Sequence, residues 1–155
     1  MSKPADSPDH DTLPFATTLH VRDKCLCLHL QRAARATARM FDEALRPIGI
    51  TSGQFSLLMS LNRPAPPLMG EIAAFLAMDR TTLTAMLKPL QRRGLLEART
   101  DEADRRGKRL VLLPEGHALL ARAVPVWART EEQIEALLIG SDPERLRQDL
   151  VMLGR

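Results

Sequence analysis

Residues 68–94 predict two short helices that are joined by a brief turn, and this pairing limits the folds open to the chain. Apolar residues recur at helical spacing over about 68–76, with Phe75 among the side chains expected to face inward. Asp79 is a good N-cap for a second helix, which ends before Gly94. Two such helices with a three- or four-residue connection are typical of a helix-turn-helix.

A β-hairpin is predicted directly after this pair. Residues 95–99 and 108–113 are rich in apolar residues and predict two short strands. The stretch 100–107 between them is polar, charged and ends in Gly107, as expected of a hairpin loop. A hairpin in this place predicts a wing behind the helix-turn-helix.

The flanking regions predict further helices. Residues 21–45 form one long helical pattern, Thr51 opens another helix with Gln54 as its capping-box partner, and 115–139 forms a third. Aromatic residues make up only 3% of the chain, which argues against an all-β fold. The predicted fold class is mostly α with a small β-hairpin wing: a winged helix-turn-helix domain and a helical region from both ends of the chain.

A length of 155 residues fits one domain, which we divide into three parts. Residues 1–20 are expected to be a mobile leader. Residues 21–46 and 115–155 form the helical region, and 47–114 form the winged helix-turn-helix lobe.

The composition excludes several functional classes. No apolar run is long enough to span a membrane, and the beginning of the chain lacks the apolar core of a secretory signal. We therefore expect no membrane partner and a cytoplasmic location. Phosphate-binding loops, nucleophile motifs and zinc-protease motifs are absent, so we predict neither an enzyme nor a cofactor.

Positive charge is concentrated where the two helices and the hairpin are predicted. The net charge is +3, and residues 79–109 carry nine cations and five anions. Small hydroxyl side chains and long cations on one helix face would let that helix approach base edges and phosphates. The alternative is an ordinary solvated helix face followed by a solvated charged turn. The candidate DNA-binding residues are Arg80, Thr81, Thr82, Thr84, Lys88, Asp104, Arg105, Arg106 and Lys108.

Cys25 and Cys27 are compatible with several roles, namely metal binding, disulfide formation, packing or redox sensing. If both lie on one helix, they point about 200° apart, which disfavours a shared metal ion and an unstrained disulfide. Cys25 and His29 would then share a face. We favour packing cysteines and expect no metal site, while redox sensing stays open as an alternative.

Several segments in this order resemble the MarR family of winged helix-turn-helix transcription regulators, over roughly residues 20–140. The segments are 41–55 (FDEALRPIGITSGQF), 68–76 (LMGEIAAFL), 79–84 (DRTTLT), 90–96 (LQRRGLL) and 104–106 (DRR).

This resemblance implies a homodimer that is held together by helices from both ends of each chain. It implies that the helix after Asp79 enters the major groove of double-stranded DNA, and that Arg106, braced by Asp104, contacts the minor groove. Family members commonly release DNA on binding a small aromatic or phenolic ligand, and others respond to cysteine oxidation. Candidate ligand-binding residues are Arg39, Met40, Phe55 and Trp127.

The leading hypothesis is a homodimeric repressor of a pseudo-palindromic operator that is released by a small-molecule effector. One alternative is a regulator that senses oxidants through Cys25 or Cys27. Another is a helical module that binds a protein partner.

Overall fold

A computed structural model describes residues 12–154 and confirms the predicted fold class, mostly helical with one antiparallel hairpin. A short 3-10 turn at Arg46–Ile48 follows the second helix. The elements are α1 (Phe15–Lys24), α2 (Leu26–Leu45), α3 (Ser52–Leu61), α4 (Met69–Phe75), α5 (Arg80–Arg92), β1 (Leu96–Thr100), β2 (Lys108–Leu112), α6 (Pro114–Glu135) and α7 (Pro143–Leu153). Over the described range, no helix is long and apolar enough to cross a membrane.

The first helix differs from the sequence prediction. Helix α1 begins at Phe15, inside the expected 1–20 leader, because Pro14 presents its carbonyl to the N–H of Thr17 at 2.9 Å and starts the helix. No side chain of α1 is buried, so apolar spacing gave no signal for it. The rest of the expected leader, residues 1–11, lies outside the described residues.

The predicted continuous helix over 21–45 is interrupted at Cys25. This residue has ψ of 100°, an extended conformation that ends α1 before α2 begins. Its carbonyl still accepts from the N–H of His29 at 3.2 Å. The chain also divides into two compact units between Ala36 and Thr37.

Local capping fixes the start of α3. The Thr51 hydroxyl accepts from the N–H of Gln54 at 3.3 Å, and the Gln54 side chain accepts from the N–H of Thr51 at 3.1 Å. The carboxylate of Asp42 accepts from the N–H of Ser52 at 2.6 Å. The predicted capping box is therefore confirmed, with an additional acceptor from α2.

The ends of α5 also follow the prediction. Asp79 caps the helix by accepting from the N–H of Thr82 at 2.8 Å. Gly94 has φ of 67°, and the N–H of Leu95 donates to the carbonyl of Leu90 at 3.1 Å, which together form a Schellman end. Because φ is positive, glycine is the residue that adopts this conformation without strain.

One hydrophobic core joins α3, α4, α5, the hairpin and α6. Gly116, in the first turn of α6, lies directly against the carbonyl of Leu95 and the side chain of Leu112. The core is formed by buried residues that include Leu45, Leu57, Leu58, Ile72, Leu83, Leu90, Leu96, Leu110 and Leu119.

The hairpin pairs Leu96 with Leu112 and Thr100 with Lys108. The other edge of β2 is also occupied, since the N–H of Leu110 donates to the carbonyl of Pro67 at 3.0 Å. The wing is therefore attached to the segment that precedes α4.

Helix α6 is shorter than predicted. It ends at Glu135, four residues before the expected Ile139. Tighter turns follow this residue, and in one of them the N–H of Leu138 donates to the carbonyl of Glu135 at 3.0 Å. Arg147 of α7 contacts the carboxylates of Glu131 and Glu135 of α6 at 3.5 and 2.7 Å and so ties the two helices together.

Candidate nucleic-acid interface

Helix α5 separates a buried face from an exposed, polar one. Leu83, Leu87 and Leu90 are buried in the core. The exposed side forms a shallow concave strip that is lined by Arg80, Thr81, Thr84, Ala85 and Lys88. The sequence-derived assignment of the faces agrees with this arrangement.

The three threonines of α5 differ in what their hydroxyls do. The Thr82 hydroxyl donates to the Asp79 carboxylate at 2.7 Å, and the Thr84 hydroxyl donates to the Arg80 carbonyl at 2.7 Å. Within residues 12–154, the Thr81 hydroxyl makes no such bond. Thr81 is therefore the threonine best placed to hydrogen-bond an external group.

The Asp79 cap is held in its charged form. Donation from the Thr82 hydroxyl, with help from the Thr82 N–H, lowers the pKa of the Asp79 carboxyl. A lowered pKa means that the cap stabilises α5 above the ordinary aspartate pKa and is lost as the pH falls through the folded-state value.

At the tip of the wing, Asp104 contacts Arg106. The Asp104 carboxylate accepts from the backbone N–H of Arg106 at 3.0 Å and from its Nε at 3.4 Å. The Arg106 side chain is 94% exposed, so its charge is open to a partner. Lys108 donates to the Thr100 hydroxyl at 2.9 Å across the hairpin.

The wing and the beginning of α5 meet around one concave surface. Arg80 from α5 and Arg106 and Lys108 from the wing line it, together with Glu71 and the start of α4. Three cations and one anion leave this surface with net positive charge, as a phosphate-binding surface requires.

The sequence prediction missed one ion pair at the base of the wing. It placed Asp101 in a polar hairpin loop, but the residue is only 6% exposed, and Arg109 donates to its carboxylate at 2.8 Å. This hydrogen bond lowers the pKa of the Asp101 carboxyl. Asp101 and Arg109 are eight residues apart on opposite sides of the hairpin loop. Their contact could therefore be predicted only once the pairing register of the two strands was known.

A separate apolar cavity of about 370 Å³ lies between α3, α6 and the end of α4. The rings of Phe55 and Trp127 stack beside it with centroids 6.4 Å apart and planes at 18°. Its lining holds no ionisable side chain and consists of Phe55, Ser56, Met59, Ser60, Phe75, Val124 and Trp127.

The lining of this cavity includes two of the four candidate ligand-binding residues. Phe55 and Trp127 line the cavity, whereas Arg39 and Met40 of α2 are not part of its lining. Phe75 was expected in the core but is 71% exposed, because Ile72 and Ala73 form the buried face of the short α4.

The two cysteines do not lie on one continuous helix. Cys25 precedes α2, and its sulfur accepts from the N–H of Leu28 at 3.4 Å. Cys27 is exposed within α2, and the His29 ring donates to the Cys25 carbonyl at 2.8 Å. The two thiols are therefore not related by the rotation of about 200° that was predicted for a single helix. Among residues 12–154, no group of three or more potential ligands could hold a metal ion.

Comparison with known proteins places these features in context. The model of the MarR family matches residues 50–108. YwoH of Bacillus subtilis, an uncharacterised HTH-type transcriptional regulator, is 30% identical over 115 residues, 74% of this chain and 83% of that protein.

Two solved regulators have the same fold. The M. tuberculosis transcriptional regulator MosR in complex with DNA is 38% identical with a TM-score of 0.76, covering 84% of this chain and 94% of that one. The transcriptional repressor CouR bound to a 23-mer DNA duplex is 32% identical with a TM-score of 0.77, covering 87% and 96%. CouR has also been solved bound to p-coumaroyl-CoA, at 32% identity, a TM-score of 0.73 and coverage of 84% and 91%.

Proposed function

The chain belongs to the MarR family of transcription regulators, and we propose that it is a homodimeric repressor released from its operator by a small ligand. The observation that carries this proposal is the surface on which Arg80, Arg106 and Lys108 meet. A helix face and a hairpin tip that share one cationic surface can contact adjacent grooves of a duplex at the same time.

In this proposal α5 enters the major groove with Thr81 towards the base edges. Arg80 and Lys88 reach phosphates, and Arg106, held by Asp104, reaches the neighbouring minor groove. Two copies related by a twofold axis would read half-sites whose centres lie about 10 bp apart or a multiple of that distance.

The apolar surface of α7 supports the homodimer. Five of its eleven residues are large, apolar and exposed in the single chain: Leu146, Leu150, Val151, Met152 and Leu153. Leu146, Leu150 and Leu153 form one stripe along the helix at spacings of four and three residues. A monomeric protein rarely leaves such a stripe in water, whereas a second copy of the same helix would cover it.

Fluorescence anisotropy with duplex DNA from upstream of the chain's own gene tests the proposal. We expect tight binding that weakens steeply as salt rises, because phosphate contacts release counterions. A scrambled duplex is the control. Weak binding that is equal on both duplexes would contradict the repressor and favour a module that binds a protein partner.

We predict that Arg106→Ala weakens operator binding about tenfold and lowers the salt slope by about one unit, as expected for the loss of one cationic contact. The measurement is anisotropy at four or more salt concentrations. Arg122→Ala, which removes the same charge from an exposed position on α6, is the matched control. If Arg122→Ala has the same effect, general charge rather than the wing accounts for the loss.

We predict that Thr81→Ala relaxes base preference at one position in each half-site, by roughly fivefold, because a base-edge contact is lost. Competition against operators with single base changes measures this preference. Thr84→Ala is the control, since that hydroxyl already donates to the Arg80 carbonyl. Equal losses on operator and random DNA for Thr81→Ala would contradict a reading role.

The cavity between α3 and α6 is the proposed effector site. Because its lining holds no charged group, we expect p-hydroxybenzaldehyde to bind at least about tenfold more tightly than p-hydroxybenzoate, whose carboxylate would find no cationic partner in this apolar lining. Trp127 is the only tryptophan and the chain has no tyrosine, so quenching of intrinsic fluorescence reports binding directly.

Filling the cavity provides the control for this ligand prediction. Ser56→Phe should abolish quenching while leaving ligand-free DNA affinity unchanged, because Ser56 lies in the lining and away from α5 and the wing. Tighter binding of the carboxylate, or unchanged quenching in Ser56→Phe, would place the effector elsewhere.

Oxidant sensing is a second candidate, favoured by the helix interruption at Cys25 and by the exposed thiol of Cys27 two residues later. Two thiols and one peroxide would give a disulfide, within or between subunits, together with an alcohol and water. If a Cys25→Ser, Cys27→Ser double variant is still released from DNA by peroxide as the wild type is, oxidant sensing by these cysteines is excluded.

A further inference from the structure

The base of the wing contains a buried charge that the contacts to DNA proposed above do not use. Within residues 12–154, Asp101 is the one charged residue in the buried class. An isolated buried carboxylate is strongly unfavourable, so its partners must compensate for lost hydration. The Nε of Arg109 donates to Oδ1 of Asp101 at 2.8 Å and supplies the opposite charge.

Arg109 connects this carboxylate to the helix-turn-helix. Its second guanidinium donor bonds the carbonyl of Pro66 at 2.8 Å, and its backbone pairs with Leu68 in an isolated bridge. Pro66 and Leu68 belong to the segment that leads into α4. One planar side chain thus spans the hairpin loop and the start of the helix-turn-helix, a geometry that suits the rigid fork of arginine.

The tip of the wing rests on this connection. The N–H of Asp101 donates to the carbonyl of Gly107 at 3.0 Å, and the N–H of Gly107 donates to the carbonyl of Asp104 at 2.7 Å. A methyl group added at Gly107 would lie 3.3 Å from Cβ of Asp101 and 3.4 Å from the Leu68 side chain. The loop that carries Arg106 is therefore packed tightly onto the ion pair and the segment before α4.

We propose that Asp101 and Arg109 are positioning residues for DNA binding: their ion pair and the Pro66 carbonyl hold the wing so that Arg106 and Lys108 face the same duplex as α5. The inference rests on the proposed function. A wing that is ordered before binding loses less conformational freedom on the DNA, and this preorganisation strengthens binding without any contact from Asp101 itself.

The sign of the effect separates positioning from simple electrostatics. Asp101→Asn removes a negative charge near a polyanion, so general electrostatics predicts tighter DNA binding. Positioning predicts weaker binding, by about fivefold, somewhat less than the loss of a direct arginine contact. Glu102→Gln is the matched control, since it makes the same charge change at an exposed neighbour. We expect it to bind as tightly as the wild type or slightly more tightly.

A double-mutant cycle tests whether Asp101 acts through Arg106. In the Arg106→Ala background, Asp101→Asn should cost less affinity than it does in the wild type, because one of the two side chains that it positions is gone. A general loss of folded structure would instead give additive effects. Thermal unfolding of each variant reports the folded fraction, and Arg109→Lys provides an independent test if Asp101→Asn does not fold. Lysine keeps the charge but lacks the planar fork whose separate nitrogens bond Asp101 and Pro66, so we expect a similar loss.

The outcomes distinguish this inference from the proposed function. Wild-type protein that binds no operator duplex would overturn the proposed function and the inference with it. Wild-type protein that binds, together with Asp101→Asn or Arg109→Lys that binds equally or more tightly, would overturn the positioning role alone. Additive losses in the cycle would also overturn it.

Discussion

Replacing Gly116 by alanine is expected to destabilise the protein by about 3 kcal/mol, the upper end of the usual range for overpacking a core. The added methyl group would overlap the carbonyl oxygen of Leu95 and lie 2.6 Å from Cδ1 of Leu112. The first of these is a backbone atom, which cannot move aside as a flexible side chain can. The same carbonyl accepts from the N–H of Leu113 at 3.0 Å, so displacing it would also weaken the junction between the wing and α6.

Urea unfolding at a fixed protein concentration measures this effect, since the stability of the proposed homodimer would depend on concentration. Gly70→Ala is the matched control: it makes the same change inside helix α4, where the nearest atom to the new methyl is the end of Arg80 at 4.0 Å. There we expect a gain of about 0.5–1 kcal/mol from the helix preference of alanine. An unchanged unfolding midpoint for Gly116→Ala would contradict the close packing of α6 against Leu95.

The features that were predictable from the sequence depend on neighbours within a few residues. Thr51 and Gln54 cap α3, Asp79 caps α5, and Gly94 ends it, because each satisfies backbone groups three to five positions away. The wing tip is local in the same way, since Asp104 and Arg106 are two residues apart.

The features that were not predictable depend on distant partners or lack an amphipathic signal. Asp101 is buried because Arg109 also reaches Pro66, which is 43 positions away from that arginine. The exposure of Phe75 depends on how α4 lies beside α3 and α6, which periodicity in a seven-residue helix does not define. No side chain of helix α1 is buried, and its sequence has no apolar periodicity from which the helix could be predicted.

The candidate site was therefore half predictable. The sequence indicated the cations of α5 and the wing because charge and register are local properties. It did not reveal that Arg80 and Arg106 share one surface, since that depends on the packing of the hairpin against the segment before α4. Arg39 and Met40 lie outside the lining of the apolar cavity for a similar reason, because proximity along the chain to an apolar stripe does not define the wall of a cavity.

Leu150→Glu is expected to weaken dimerisation by roughly a thousandfold, about 4 kcal/mol. Leu146, Leu150 and Leu153 lie on one side of α7 at spacings of four and three residues, and all are at least 38% exposed in the single chain. In a twofold interface the substitution occurs twice, and each carboxylate would be buried against apolar side chains of the other copy. Such charges are left without partners.

Sedimentation equilibrium across a wide concentration range measures the dimer dissociation constant. Gln148→Glu is the matched control, because it adds the same charge to the opposite side of α7 and should leave the dimer intact. Operator affinity should fall together with dimerisation, since two half-sites are bound more tightly by linked lobes than by separate ones. If Leu150→Glu stays dimeric at the concentrations where wild type does, the apolar side of α7 is not the interface. If it becomes monomeric but keeps full operator affinity, one lobe suffices for DNA binding and the twofold reading of the operator is wrong.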